Sequence, residues 1–114
     1  MDYSQLSDQE INIQVARIMH PEREVIESKS RPPSACVIGH LPSKWLDYCN
    51  NPADAWPIIM GSMISVCAYK RANPGMKAVS WWEADSFGEH ITRDDNPLRA
   101  AMIVFLMLQE QSHE

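Results

Sequence analysis

Residues 96–110 read NPLRAAMIVFLMLQE, and what kind of segment this is decides the fold. Nine consecutive residues, Ala100 to Leu108, carry no polar side chain. A membrane span needs about 20 apolar residues, so the run is far too short to be one. Asn96 is a favourable N-cap, and Pro97 suits the first helical position, where a missing N–H leaves nothing unpaired. The stretch predicts a helix apolar on all sides, and such a helix needs other elements around it.

The rest of the chain supplies them. With 114 residues, 45% hydrophobic and 22% charged, the composition fits one globular domain over 1–114 and excludes wholesale disorder. The net charge of −5 argues against a sequence-blind coat on nucleic acid, while leaving room for a local basic face. Cys36, Cys49 and Cys67 are odd in number and at no metal-ligand spacing, which reads as reduced thiols in a cytosolic compartment. The opening MDYSQLSDQE lacks the basic and apolar regions of a signal peptide.

Ser7 and Glu10 stand at capping-box spacing, flanked by Leu6 and Ile11 at the spacing of a hydrophobic staple. Ile11, Val15, Ile18 and Met19 continue as one apolar stripe, and Pro21 ends the helix near His20. Short strands follow at 24–28 and 35–38, separated by the turn signal at 30–34. The stretch 39–50, broken by Pro42, reads as irregular. Asn51 and Pro52 start a second helix that Pro57 complicates and Gly61 is a candidate to stop. Residues 63–84 read as a hairpin turning at Asn73-Pro74-Gly75, with Trp81 and Trp82 on opposite faces. Residues 86–95 read as a polar loop before the last helix. Helices and antiparallel strands in this order predict an α+β fold: a small antiparallel sheet packed with about three helices.

Three stretches, DYSQLSDQEIN from Asp2, CNNPADAWPII from Cys49 and NPLRAAMIVFLMLQE, resemble the NinX family of lambdoid bacteriophages and prophages. The family is a domain of unknown function encoded in the phage nin region, so the resemblance implies a phage accessory protein in the cytoplasm of the bacterial host. The early Ala55-Trp56 pair and the Arg99-Ala100-Ala101 start are also similar to a phage family named for an α-β-α sandwich. That likeness implies a fold and no function.

No constellation for catalysis stands out, and the expectation is a protein that is not an enzyme. Cys36 and His40 could pair as nucleophile and base, yet with no oxyanion-hole motif beside them they read as a buried strand thiol and an exposed loop imidazole. Glu89, His90, Asp94 and Asp95 crowd one segment without a metal-binding pattern, so it reads as a solvated loop and no metal or cofactor is expected. Glu83 and Asp85 would share a strand face, as paired catalytic carboxylates or plain surface. The hairpin is more informative. Lys70, Arg71 and Lys77 cluster at its turn, with Tyr69, Trp81 and Trp82 on its arms. Cations attract phosphates and flat rings stack on bases, so hairpin 69–82 is a candidate nucleic-acid surface, against the alternative of one tryptophan turned to the core.

Trp45 and Trp56 read as core or edge packing, and Arg99 as a partner of Asp54 or Asp95. Four tryptophans in a small chain favour binding to a host or phage protein if the rings are exposed. A homodimer is a further expectation, since a helix as apolar as 97–108 resembles an obligate interface.

Overall fold

The computed structural model describes residues 2–39 and 43–112. After a 3-10 turn at Tyr3–Gln5, the elements are α1 (Asp8–Met19), β1 (Val25–Glu27), β2 (Ala35–Val37), β3 (Lys44–Leu46), α2 (Pro52–Gly61), β4 (Ser65–Arg71), β5 (Val79–Ser86), β6 (His90–Asp94) and α3 (Pro97–Ser112). The fold is α+β, as the pattern predicts. Its strands divide into two antiparallel sheets, ordered β1-β2-β3 and β4-β5-β6.

The stretch 96–110 is the centre of the molecule. Ala100 through Leu106 are all buried, and none is more than 4% exposed. The Asn96 carboxamide oxygen caps α3, accepting from the N–H groups of Leu98 and Arg99 at 2.9 and 3.2 Å. Such a helix is stable only if every side is covered. The β4-β5-β6 sheet lies on one side of α3, and α1 and α2 lie on others. α1 in turn packs against β1 and β2 of the first sheet. α3 is therefore enclosed by the rest of the fold over 100–106.

Local signals set the helix ends. Glu10 N–H donates to Ser7 Oγ and Ser7 N–H to Glu10 Oε1, both at 3.1 Å, completing the capping box. α1 stops at His20 as Pro21 requires. Asn51 caps α2, with Pro52 in its first turn and Pro57 tolerated inside it on the exposed side. α2 does end at Gly61, but the left-handed residue that turns the chain is Met63 (φ 53°). Met63 N–H bonds to Met60 O at 3.2 Å and Ile64 N–H to Ile59 O at 3.0 Å, the two bonds of a Schellman cap.

Other expectations need correcting. The stretch 39–50 contains β3, which pairs with β2 through Cys36↔Trp45. The stretch 86–95 contains β6, paired with β5 from Trp82↔Asp94 to Ser86↔His90. Both are short and partly polar, and pairing with a distant strand, not local pattern, makes them strands. Trp56 is 57% exposed rather than packed, whereas Trp45, 38% exposed, sits on edge strand β3 with the Arg31 guanidinium 4.2 Å from its ring centre. Neither Trp81 nor Trp82 is buried either, because the hairpin outruns its support. β6 stops at Asp94, opposite Trp82, while β4 and β5 continue paired through Tyr69↔Trp81, Lys70↔Ser80 and Arg71↔Val79. All of 67–80 is exposed. The result is a two-stranded arm on a molecule 56 Å long and 24 Å thick.

Candidate functional site

The three motif stretches converge on one polar clasp. Asn12 of α1 is wholly buried. Its Nδ2 donates to Pro33 O at 3.0 Å and Asp47 Oδ1 at 2.9 Å, and its Oδ1 accepts from Cys49 N–H at 3.1 Å. Asn96 Nδ2 donates to Cys49 O at 2.6 Å, and Asp54 Oδ2 accepts from Asp47 N–H at 3.0 Å. Arg99, with a side chain only 13% exposed, pairs with Asp8 at 2.7 Å and Asp94 at 3.4 Å, not with Asp54 or Asp95. These groups are spent on one another. Burial, reinforced by the Asp8 charge, pushes the Cys49 thiol far above the usual thiol range, so it is held as an inert thiol. The clasp joins the starts of α1 and α3 to the segment before α2, and sequence reading missed it because its members lie far apart in the chain.

The hairpin residues singled out in the sequence do meet on the arm, but not on one face. Tyr69 and Trp81 stack with ring centroids 5.8 Å apart and planes at 11°. The Arg93 guanidinium lies 5.4 Å from the Trp81 ring centre. Glu83 Oε2 accepts from Trp81 Nε1 and pairs with Arg93 Nε, each at 3.0 Å. Arg71 shares this face by alternation, while Lys70 and Trp82 point to the other. Lys77 sits in the exposed connection. Glu83 and Asp85 do share a face, but the Glu83 carboxylate is engaged by Trp81 and Arg93 and is not a free acid or base.

One other candidate dissolves in the geometry. His90 bonds Gln111 at 2.6 Å through a ring nitrogen, and Asp94 stands four residues along β6, roughly 13 Å away. Among the described residues no group of three or more His, Cys, Asp or Glu is placed to hold a metal ion. The Cys36–His40 pairing cannot be placed, since His40 lies outside the described residues. No described helix is long and apolar enough to cross a membrane.

The strongest surface feature was not anticipated. Trp56, Met60, Met63 and Phe87 are 57%, 60%, 66% and 75% exposed, and they surround one cleft of about 430 Å³ with Val66 at its side. Buried Ile59 and Ile64 form its floor. Single exposed apolar residues are ordinary, but four around one cleft are not. Two of them also sit where the backbone disfavours them. Met63 and Phe87 have φ of 53° and 52°, the left-handed region where glycine or asparagine is usual. Phe87 and Gly88 (φ 78°) are the central residues of a turn closed by Glu89 N–H to Ser86 O at 2.9 Å. A turn with positive φ at both positions favours Asn-Gly. The spacing of Trp56 and Met60, one helical turn apart, was the signal available in the sequence.

A family model described as Bacteriophage P22, NinX matches residues 2–109. No curated protein and no solved structure matches the chain.

Proposed function

Because the chain belongs to the bacteriophage P22 NinX family, we propose that it is a non-enzymatic phage accessory protein that binds a host or phage protein in the bacterial cytoplasm. The cleft between Trp56, Met60, Met63 and Phe87 is the docking point. One observation carries this reading: Met63 and Phe87 hold large apolar side chains in solvent, on backbone that favours glycine or asparagine. Left-handed backbone costs a non-glycine residue about 1 kcal/mol or more. Both side chains stay mostly in solvent, so contact with another molecule supplies a reason to keep them. Aromatic and methionine side chains are also the types enriched in protein interfaces.

The test is a tagged pull-down from phage-infected cells, with and without nuclease, comparing the natural chain with the Met63→Gly/Phe87→Asn double variant. A protein captured by the natural chain in both samples and lost with the variant is expected. Equal capture by the variant, or no nuclease-resistant capture at all, would overturn the reading.

A second reading, nucleic-acid binding through the arm, has its own observation. Residues 69–81 carry Lys70, Arg71 and Lys77 and no Asp or Glu, in a chain of net charge −5. Binding of this kind would weaken steeply with salt and vanish when the three cations are neutralised. It is the weaker reading because Tyr69 and Arg93 already occupy the Trp81 ring.

A further inference from the structure

We propose that the outer edge of β4 seats an extended segment of the partner protein, added antiparallel as a fourth strand. A bulky apolar side chain of that segment fills the cleft at one end, and carboxylates meet Lys70 and Arg71 at the other. This rests on the protein-binding reading above and adds the form and charge of the partner.

The edge itself is the first ground. β4 has β5 as its strand neighbour in the sheet, and every residue from Ser65 to Arg71 is exposed except half-buried Val66. Such an edge presents a row of N–H and C=O groups to solvent, and folds usually blunt it with proline, a bulge, a cover or charged side chains, which on β4 are confined to Lys70 and Arg71 at its far end. β4 contains no proline, and its seven pairs with β5 run in unbroken register from Ser65↔Asp85 to Arg71↔Val79. Its two cations stand together at one end. An edge left this regular is suited to strand addition, in which main-chain bonds give affinity and side-chain sites give specificity.

The two ends of β4 differ in chemistry. Ser65 and Val66 line the apolar cleft. Five residues on, roughly 17 Å along a strand, come Lys70 and Arg71. They point to opposite faces of the arm, so they flank the edge from both sides. Two adjacent carboxylates on an added strand also point to opposite faces, and each meets one cation. Antiparallel addition puts the carboxylates first in the partner's sequence and the apolar anchor five or six residues later.

A second copy fits less well. Pairing β4 with itself about Ala68 sets Lys70 against Val66 and Arg71 against Ser65. Neither cation gains a carboxylate, and β4 brings no large aliphatic or tryptophan side chain to the partner's cleft.

The probe is a synthetic ten-residue peptide of alternating threonine and valine, with two adjacent glutamates near its start and a tryptophan six residues later. Binding to the full chain is read by fluorescence anisotropy, and the contact by amide hydrogen exchange. The expected result is saturable binding with new protection within 65–71. The Lys70→Glu/Arg71→Glu variant should bind at least tenfold more weakly, and a peptide with lysines in place of the glutamates should recover that loss. These arm residues are exposed, so the variant tests binding and not folding. Absent binding, binding without protection in β4, or an affinity unmoved by charge reversal would overturn the proposal. So would a concentration-dependent dimer that protects the same amides. A nuclease-resistant partner still captured in the pull-down would then leave the protein-binding reading standing, whereas loss of that capture would remove both.

Discussion

Arg99 Nη1 donates to Asp8 Oδ1 at 2.7 Å, joining the first turn of α3 to the first turn of α1. Its Nη2 donates to the carbonyls of Leu6 at 2.7 Å and Ser4 at 3.1 Å. One guanidinium thus ties the start of the chain onto the central helix, using a fork that an ammonium lacks. Arg99→Ala should cost about 2 kcal/mol, below the 3–5 kcal/mol of a fully buried pair because Asp8 keeps solvent contact. Arg99→Lys should recover less than half of it. Urea denaturation of the three chains reads both numbers.

Asn12 uses both donors and one acceptor site of its carboxamide inside the fold. Asn12→Leu keeps the volume but strands the buried Cys49 N–H, which bonds Asn12 Oδ1 at 3.1 Å. The expected loss is about 2–3 kcal/mol, the desolvation penalty of groups left without partners. A variant as stable as the natural chain would show that water or a shifted loop can replace the carboxamide. Asn12→Asp should be no better, since a carboxylate there would face the Asp47 carboxylate.

The acid and alkaline limits have separate origins. The Ser7 N–H and hydroxyl hold the Glu10 carboxyl below its ordinary value, and the Tyr3 hydroxyl does the same for Glu110. For groups depressed in this way, the stabilisation is complete above the ordinary value near 4.3 and fades as pH falls through the lower folded value. Burial, and then the bond to Glu110, pushes the Tyr3 phenol up to about 12. Its contribution is therefore complete below the ordinary value near 10 and is lost as pH rises toward 12. Tyr3→Phe should remove Tyr3's share of the alkaline decline, leaving that of the raised Cys49 thiol and Tyr48 phenol, and Glu10→Gln should lessen the acid decline, in denaturation midpoints taken across pH.

Stability and partner capture should move in opposite directions at the cleft. Met63→Gly and Phe87→Asn each relieve left-handed strain, so neither should destabilise and each should gain up to about 1 kcal/mol. A loss of more than 1 kcal/mol from either would mean that the side chain packs in the fold after all.

The helices were legible in the sequence because their signals are local. The box at Ser7 and Glu10, the Asn51-Pro52 start and the Asn96-Pro97 start all act within a few residues, and each is found in the structure. β3 and β6 were not, because a segment such as HITRD becomes a strand only when β5 lies beside it. The tryptophans misled for a related reason. Alternation says that Trp81 and Trp82 face opposite ways, and they do, but not that α3 ends its cover near Asp94. The clasp is assembled from four separate stretches, around 8–12, 33, 47–54 and 94–99, and the cleft needs Phe87 brought to 56–66, so no short window along the chain contains either.

The arm holds up nothing. Residues 67–80 extend past the shelter of α3 and are exposed throughout, so most substitutions there change stability by no more than about 0.5 kcal/mol. A chain built this way separates the parts that must stay constant from the parts that can change. The buried helix and its clasp tolerate little, while the ribbon can be rewritten without refolding the body. If the strand addition proposed for β4 holds, its specificity can be rewritten there at small thermodynamic risk.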